Sequence, residues 1–158
     1  MFEYFPVDTE PSAFQLDHGA DFKSIVALWQ SKRPGKDLPA WSDFSLADFS
    51  GWHERMAVSE ILPSRNDLRF QFFGSDMVIL QGDDLTGAVL SERLPDAYLS
   101  IYKEHITCFS QTPSIAFGYV KAASDLGKPK RIAVMYLPLS NEGERIDRIL
   151  HLTCWDAA

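Results

Sequence analysis

Within each of two groups, 55–74 and 114–155, the strand-like runs of this sequence are joined by turns that are too short for a helical crossover. The run at 55–62 is followed by Pro63 and a four-residue turn, and the next run begins at Leu68. Parallel neighbours in a sheet need a connection of about a dozen residues or more, usually a helix. The later runs are at 114–123, 130–139 and 148–155, with turns at 125–128 and 141–144. The sequence therefore predicts an antiparallel sheet in an α+β domain.

Two amphipathic helices are predicted around the first pair of strands. In 21–33, apolar residues recur at helical spacing from Phe22 to Trp29, and Pro34 ends the run. In 95–110, the apolar stripe consists of Tyr98, Ile101, Tyr102, His105, Ile106 and Phe109. The predicted order is thus a helix, two strands, short helical pieces, a long helix and three strands.

The second run, 68–74, alternates apolar and polar residues. Phe70 and Phe72 fall on one face, and Arg69 and Gln71 fall on the other. We therefore expect both phenylalanines to be buried. The other residues expected in the core are Ile101, Tyr102, Phe117, Val134 and Leu150.

The charge and composition argue against several classes of partner. A net charge of −7 at pH 7 disfavours nucleic acid and anionic membrane surfaces, because like charges repel at long range. No stretch approaches the roughly 18 apolar residues of a membrane span, and acidic residues interrupt the first ten positions, unlike a signal peptide. Cys108 and Cys154 lack the spacing of a disulfide or metal framework. We expect a cytoplasmic protein without nucleic-acid or membrane partners.

Several short motifs occur in a fixed order along the chain. They are Leu28-Trp29, Lys32-Arg33, Leu38-Pro39, the hairpin 68–74, the turn 82–87, the strand end 137–140, Gly143 and the strand start 147–150. Together with the element order, these motifs resemble the PAS-like family of small, often stand-alone alphaproteobacterial proteins. The chain departs from that pattern at His53, Glu54 and Arg55, so no functional role is carried over to those positions.

The resemblance covers 21–156 and implies a single PAS-like domain preceded by an arm at 1–20. That arm is either loose or docks its aromatic side chains on the body. The implied fold is a five-stranded antiparallel sheet with helices on one face and an N-terminal leading helix. PAS-like domains generally use the cavity between sheet and helices for a ligand or cofactor, or act as interaction modules, so the function must be argued from the site.

Five side chains are candidates for a ligand pocket between the long helix and the sheet. They are Tyr102, His105, Phe117, Tyr119 and Phe72. His105 is the only ionisable imidazole on an otherwise apolar stripe, and burying it unpaired would cost about 1–3 kcal/mol. We expect a ligand, a water molecule or the hydroxyl of Tyr119 or Thr107 to satisfy it.

The sequence does not identify a cofactor. In some PAS domains a histidine on this helix holds a haem iron, and the resemblance implies that role as one option for His105. A flavin-reactive cysteine would lie in the helical insert, and 75–94 contains no cysteine. Neither an HExxH motif nor a four-ligand zinc pattern is present, so no metal site is predicted.

Three functions are compatible with these features. The first is a sensory or regulatory module that binds a small ligand or a signalling partner protein and has no catalytic output of its own. The second is an interaction module with a filled core, homodimeric through 21–33, where Phe22 and Trp29 offer much apolar surface. The alternative for 21–33 is that this helix covers the outer face of the sheet in its own chain. The third is a lyase- or isomerase-type enzyme that uses His105 with Glu104 or Tyr102. We favour the first, since no catalytic motif is present.

Overall fold

The computed structural model describes residues 2–7, 19–64, 66–120 and 131–155. The strands are β1 (Phe2–Pro6), β2 (Met56–Ile61), β3 (Leu68–Phe73), β4 (Ser114–Val120), β5 (Ile132–Leu139) and β6 (Arg148–Cys154). The helices are α1 (Gly19–Ser31), α2 (Ser75–Gln81), α3 (Leu90–Arg93) and α4 (Asp96–Gln111), with short 3₁₀ helices at Trp41–Asp43, Leu46–Phe49 and His53–Arg55. The two predicted helices and five predicted strands are confirmed to within a few residues. The predicted turn at 125–128 and most of the arm, 8–18, lie outside the described residues.

β1 extends the sheet to six strands, one more than predicted. The order is β1-β4-β5-β6-β2-β3, and every pairing is antiparallel. β1 pairs with β4, so that Phe2 lies opposite Gly118 and Tyr4 lies opposite Ala116. Because side chains alternate along a strand, both rings point to the same face of the sheet. The antiparallel α+β class is confirmed, and the strand number is corrected from five to six.

Helices cover both faces of the sheet: α2–α4 lie on one face, and the leading helix α1 lies on the other. α1 lies on the face of Phe117, whose ring centroid is 5.6 Å from that of Phe22. Phe117 is paired with Met135, and Tyr136 follows with its side chain on the other face. There, the ring centroids of Tyr136 and His105 of α4 are 4.5 Å apart. All eight residues of β5 are buried and apolar, so both of its faces need cover.

α1 packs on its own chain through the residues that were expected at a dimer interface. Phe22 and Trp29 are buried. The indole Nε1 of Trp29 donates a hydrogen bond of 3.0 Å to the carbonyl oxygen of Pro138, and the guanidinium carbon of Arg33 lies 5.4 Å from the indole centroid. The apolar surface behind the homodimer prediction is therefore not exposed, and a contact through these two rings is ruled out as its basis.

A β-bulge in β3 changes the direction of Phe72. Val58 of β2 lies opposite Phe72, and the next residue, Ser59, lies opposite Phe70. The residue between them is inserted, and the alternation resumes out of step. Phe70 and Phe73 therefore face the core, whereas Phe72 is 39% exposed. Burial of Phe72 was wrongly predicted. Burial is confirmed for Phe70, Phe117, Val134 and Leu150, while Ile101 and Tyr102 are half-buried.

Candidate functional site

A cavity of about 130 Å³ lies between the sheet, α2 and the first half of α4. Its sheet wall consists of Phe70, Phe73, Val120, Ile132, Val134, Tyr136, His151 and Thr153. The opposite wall consists of residues of α2, α4 and the segments between them: Met77, Leu80, Gln81, Leu85, Leu94, Tyr98, Ile101 and Tyr102. Phe2 of β1 completes the lining. Tyr98 is 38% exposed and marks the solvent side. The cavity is thus mostly apolar, with a few polar groups on its wall.

One hydrogen bond and two ring contacts link the main polar groups of this wall. The hydroxyl oxygen of Ser59 lies 2.8 Å from Nε2 of His151. The ring centroids of Tyr102 and Tyr136 are 5.9 Å apart, and those of Tyr136 and His151 are 5.1 Å apart. Neighbouring strands and α4 therefore bring two phenols and one imidazole into a single cluster with fixed orientations.

The cavity wall is uncharged at neutral pH. Among the described residues that line it, there is no aspartate, glutamate, lysine or arginine. Burial, with a smaller contribution from nearby His105, lowers the pKa of His151 to about 3. Burial raises the pKa of Tyr102 to about 12 and that of Tyr136 well above its usual value. The wall therefore offers neutral donors and acceptors only.

His105 packs against the cavity wall without lining the cavity. It is 0% exposed, and its ring centroid lies 4.6 Å from that of Phe2 and 4.5 Å from that of Tyr136. Its Nδ1 is 2.7 Å from the hydroxyl oxygen of Tyr4, whereas its buried Nε2 has no hydrogen-bond partner among the described residues. Burial lowers the pKa of His105 to about 4, so the ring is neutral at pH 7.

The structure brings only part of the predicted pocket together. Tyr102 lines the cavity, and His105 lies one layer behind the wall. Phe117 and Tyr119 lie on the α1 face of the sheet, where the guanidinium carbon of Arg131 is 3.5 Å from the centroid of the Tyr119 ring. The bulge turns Phe72 outward. Phe117, Tyr119 and Phe72 therefore do not line the cavity.

Sequence reasoning missed the contributions of Phe2, Tyr4 and Tyr136. The hydroxyl that satisfies Nδ1 of His105 belongs to Tyr4, rather than to Tyr119 or Thr107. Thr107 instead donates to the carbonyl oxygen of Lys103 on its own helix. The period-two placement of Phe2 and Tyr4 was an available strand signal, but it spans too few residues to stand out.

The cavity does not fit a haem. Its volume of about 130 Å³ is well below the roughly 300–1,000 Å³ of common ligand pockets, and His105 is not on its wall. Of the two candidate enzymatic partners of His105, Glu104 is exposed while His105 is buried, and the ring centroid of Tyr102 lies 6.0 Å from that of His105. Within the described ranges, no group of three or more possible ligands lies close enough to bind a metal ion. None of the helices described there combines the length and apolar character needed to cross a bilayer.

Comparison with known proteins gives one family match. A family model described as a PAS domain matches residues 18–153. A solved structure of an RNA-binding Light-Oxygen-Voltage receptor is similar over 98% of this chain, with a TM-score of 0.48 and 12% sequence identity. The chain spans 38% of that receptor's length. No functionally curated protein matches the sequence.

The matched region extends from the residue before α1 into β6, and so leaves out β1. It contains the sheet strands β2–β6 and the helices that form the cavity. PAS domains are in general sensory or regulatory modules rather than catalysts. Since the family model matches far more than half of the residues of this chain, the chain belongs to the PAS domain family.

Proposed function

We propose that the protein is a sensory module that binds a small, uncharged, largely apolar molecule in the cavity between α4 and the sheet. In this proposal the protein has no catalytic activity of its own, and a partner protein in the cytoplasm receives the signal. The observation that carries the proposal is the uncharged wall of the cavity, in which apolar side chains surround Tyr102, Tyr136 and His151.

The size of the cavity favours a molecule with about one ring. An engineered apolar cavity of about 150 Å³ in another protein binds benzene, and the cavity here measures about 130 Å³. A ring of that size with a single hydroxyl would also meet the cluster of Tyr102, Tyr136 and His151. Neutral phenol and imidazole groups can both donate and accept hydrogen bonds, so they suit a hydroxyl or a carbonyl on the ligand.

The absence of charge on the described wall argues against ionic ligands. A carboxylate or ammonium group moved from water into this cavity would lose its hydration and find no counter-charge among the lining residues. That loss amounts to several kcal/mol per ion even after relaxation. Phenol and benzoate therefore form a suitable test pair, because they share a ring and differ in charge at pH 7.

A second candidate function is an interaction module with a filled core. The small volume of the cavity favours it, because about 130 Å³ is less than most ligand pockets provide. In that case the cavity is a packing defect, and the outer surface of the domain carries the function.

The proposal is tested by calorimetric titration of the purified protein at pH 7 with phenol and with benzoate. Native mass spectrometry of the same sample reports any molecule that is retained from the cell. Ile101→Trp should fill the cavity from α4, because Ile101 lines it. Ile79→Trp is the matched control, because Ile79 of α2 is 60% exposed and does not line the cavity.

We expect phenol to bind the wild-type protein and the Ile79→Trp variant with equal affinity and to lose binding in the Ile101→Trp variant. Benzoate should not bind measurably. Equal binding of benzoate would contradict the charge argument, and phenol binding that survives Ile101→Trp would place the site elsewhere. If neither compound binds and no molecule is retained, the interaction module is the better account.

A further inference from the structure

We infer that the N-terminal strand β1 is part of the ligand site and that its docking on β4 is coupled to occupancy of the cavity. This inference rests on the proposed function and assigns binding and regulation at the same site to a segment outside the matched PAS region. β1 would then be the element through which an occupied cavity is distinguished from an empty one.

Phe2 connects β1 directly to the cavity. Its side chain lines the cavity, and its ring centroid lies 5.6 Å from that of Tyr136, another wall residue. A molecule in the cavity therefore gains contact with Phe2 only while β1 is docked. By the same contact, the molecule favours the docked strand.

Tyr4 links β1 to α4 through a hydrogen bond and a ring contact. Its hydroxyl lies 2.7 Å from Nδ1 of His105, and its ring centroid is 6.1 Å from that of Phe109. If β1 leaves, the buried imidazole of His105 loses its only hydrogen-bond partner among the described residues, since Nε2 has none. A buried polar group without a partner is unfavourable. Undocking of β1 should therefore also destabilise the packing of α4 around His105.

The neighbouring strand explains why the wall depends on β1. At the positions of β4 that face α4, the residues opposite Phe2 and Tyr4 are Gly118 and Ala116. Gly118 has no side chain and Ala116 has only a methyl group, so these positions fill little of the space between β4 and α4. The rings of Phe2 and Tyr4 fill it, so removal of β1 would open this side of the domain to water.

β1 is also a strand that can detach without unfolding the domain. It lies at the end of the strand order and is hydrogen-bonded to a single neighbour, and it is only five residues long. Edge elements with few buried contacts open at lower free energy than the core strands do. Coupling between such an opening and ligand binding is reciprocal: the factor by which the ligand favours docking equals the factor by which docking favours the ligand.

Amide hydrogen exchange of the full-length protein, with and without saturating phenol, tests the coupling. Amides in β1 and their partners in β4 should exchange slowly when phenol is bound and about 5-fold or more faster when it is absent. The amides of β2, on the far side of the sheet, are the internal reference. Phenol affinity is then measured for variants of β1.

Three variants of β1 distinguish the loss of ligand contact with the cavity wall from the loss of β1 docking on β4. Phe2→Ala removes wall surface and should weaken phenol binding about 10-fold. Phe5→Ala removes core contact on the α1 face, where no ligand is placed, and should weaken binding by a smaller factor only through docking. Glu3→Gln is the control, because Glu3 is exposed and lies on that same α1 face. Each variant is checked for an unchanged circular dichroism spectrum.

The outcomes distinguish this inference from the proposed function. Phenol binding with unchanged exchange in β1, or with full affinity in Phe5→Ala, overturns the coupling and leaves the ligand site in place. Full affinity in Phe2→Ala removes β1 from the site. Failure of phenol to bind the wild-type protein overturns both proposals.

Discussion

Two neutral histidines lie within one cluster of aromatic rings. His105 of α4 and His151 of β6 both contact Tyr136, with ring centroids 4.5 and 5.1 Å from it. Burial lowers the pKa of His105 to about 4 and that of His151 to about 3, although an exposed histidine titrates near 6.5. The native state therefore binds fewer protons than the unfolded chain in mildly acidic solution.

Stability should consequently fall as the pH is lowered from 7 to 5. Both histidines have depressed pKa values in the folded protein, so their contribution is complete above pH 6.5 and is lost as the pH approaches the native values. Linkage gives a loss of about 2 kcal/mol for each histidine over this interval. Urea unfolding at pH 7, 6 and 5 measures it.

His105→Gln should remove about half of this pH dependence. His53→Gln is the control, because His53 is exposed and its Nε2 lies 2.8 Å from the carbonyl oxygen of Leu46. A flat stability profile in the wild-type protein would show that the two imidazoles are not buried in neutral form.

At the scale of elements, the bulge in β3 decides which phenylalanines stabilise the sheet. Phe70 and Phe73 have ring centroids 5.0 Å apart and face the cavity. Phe72, between them in sequence, faces outward. Without the inserted residue, the alternation would have placed Phe72 inside and Phe73 outside.

Phe70→Ala should therefore lower the free energy of unfolding by about 3–5 kcal/mol, since a buried ring is replaced by a cavity. Phe72→Ala, the matched substitution two residues away, should cost less than about 1 kcal/mol. Urea unfolding at pH 7 measures both. Equal losses at the two positions would mean that the bulge is absent in solution.

The elements were predictable because each is marked by a local period. The stripe from Tyr98 to Phe109 indicates α4, and the apolar run in 132–139 indicates β5. Two features could not be predicted from the sequence, the bulge in β3 and the strand β1, because each depends on a strand that is distant along the chain. The bulge depends on the register of β3 against β2, and β1 is recognisable as a strand only by its pairing with β4.

The candidate site was predictable to a smaller extent. Placing Tyr102 and His105 on the inner face of α4 needed only helical spacing. Predicting which sheet residues contact Tyr102 and His105 required knowing which face of β4 packs against α4. A shift of one residue moves Phe117 and Tyr119 to the opposite side of the sheet, and the run 114–120 is apolar on both faces, so its pattern does not decide between them.

At the scale of the whole molecule, the sheet is a single layer between two different covers. α1 and the segment that follows it close one face, and α2–α4 with the cavity close the other. Both faces are buried along β5. A homodimer, which was expected from the sequence, would have to use surfaces other than Phe22 and Trp29, because both side chains are buried within the chain.

Trp29→Ala should therefore affect stability and leave the assembly state unchanged. Loss of the buried indole should cost about 3–5 kcal/mol, and Trp29→Phe should cost less, because it keeps a buried ring although it loses the hydrogen bond to Pro138. Urea unfolding gives the stability, and light scattering gives the mass of each variant under native conditions. A change in mass without a loss of stability would instead place Trp29 at an intermolecular contact.

In the proposed sensor, the position of Phe2 would make the ligand selectivity of this domain modular. One wall residue of the cavity comes from a five-residue strand outside the region that defines the family. Exchange of that short segment alters the shape of the cavity while every residue of 18–153 stays the same. Relatives with the same domain and different N-terminal segments would then differ in ligand preference, and a designer could retune the sensor by replacing a short peptide instead of repacking its core.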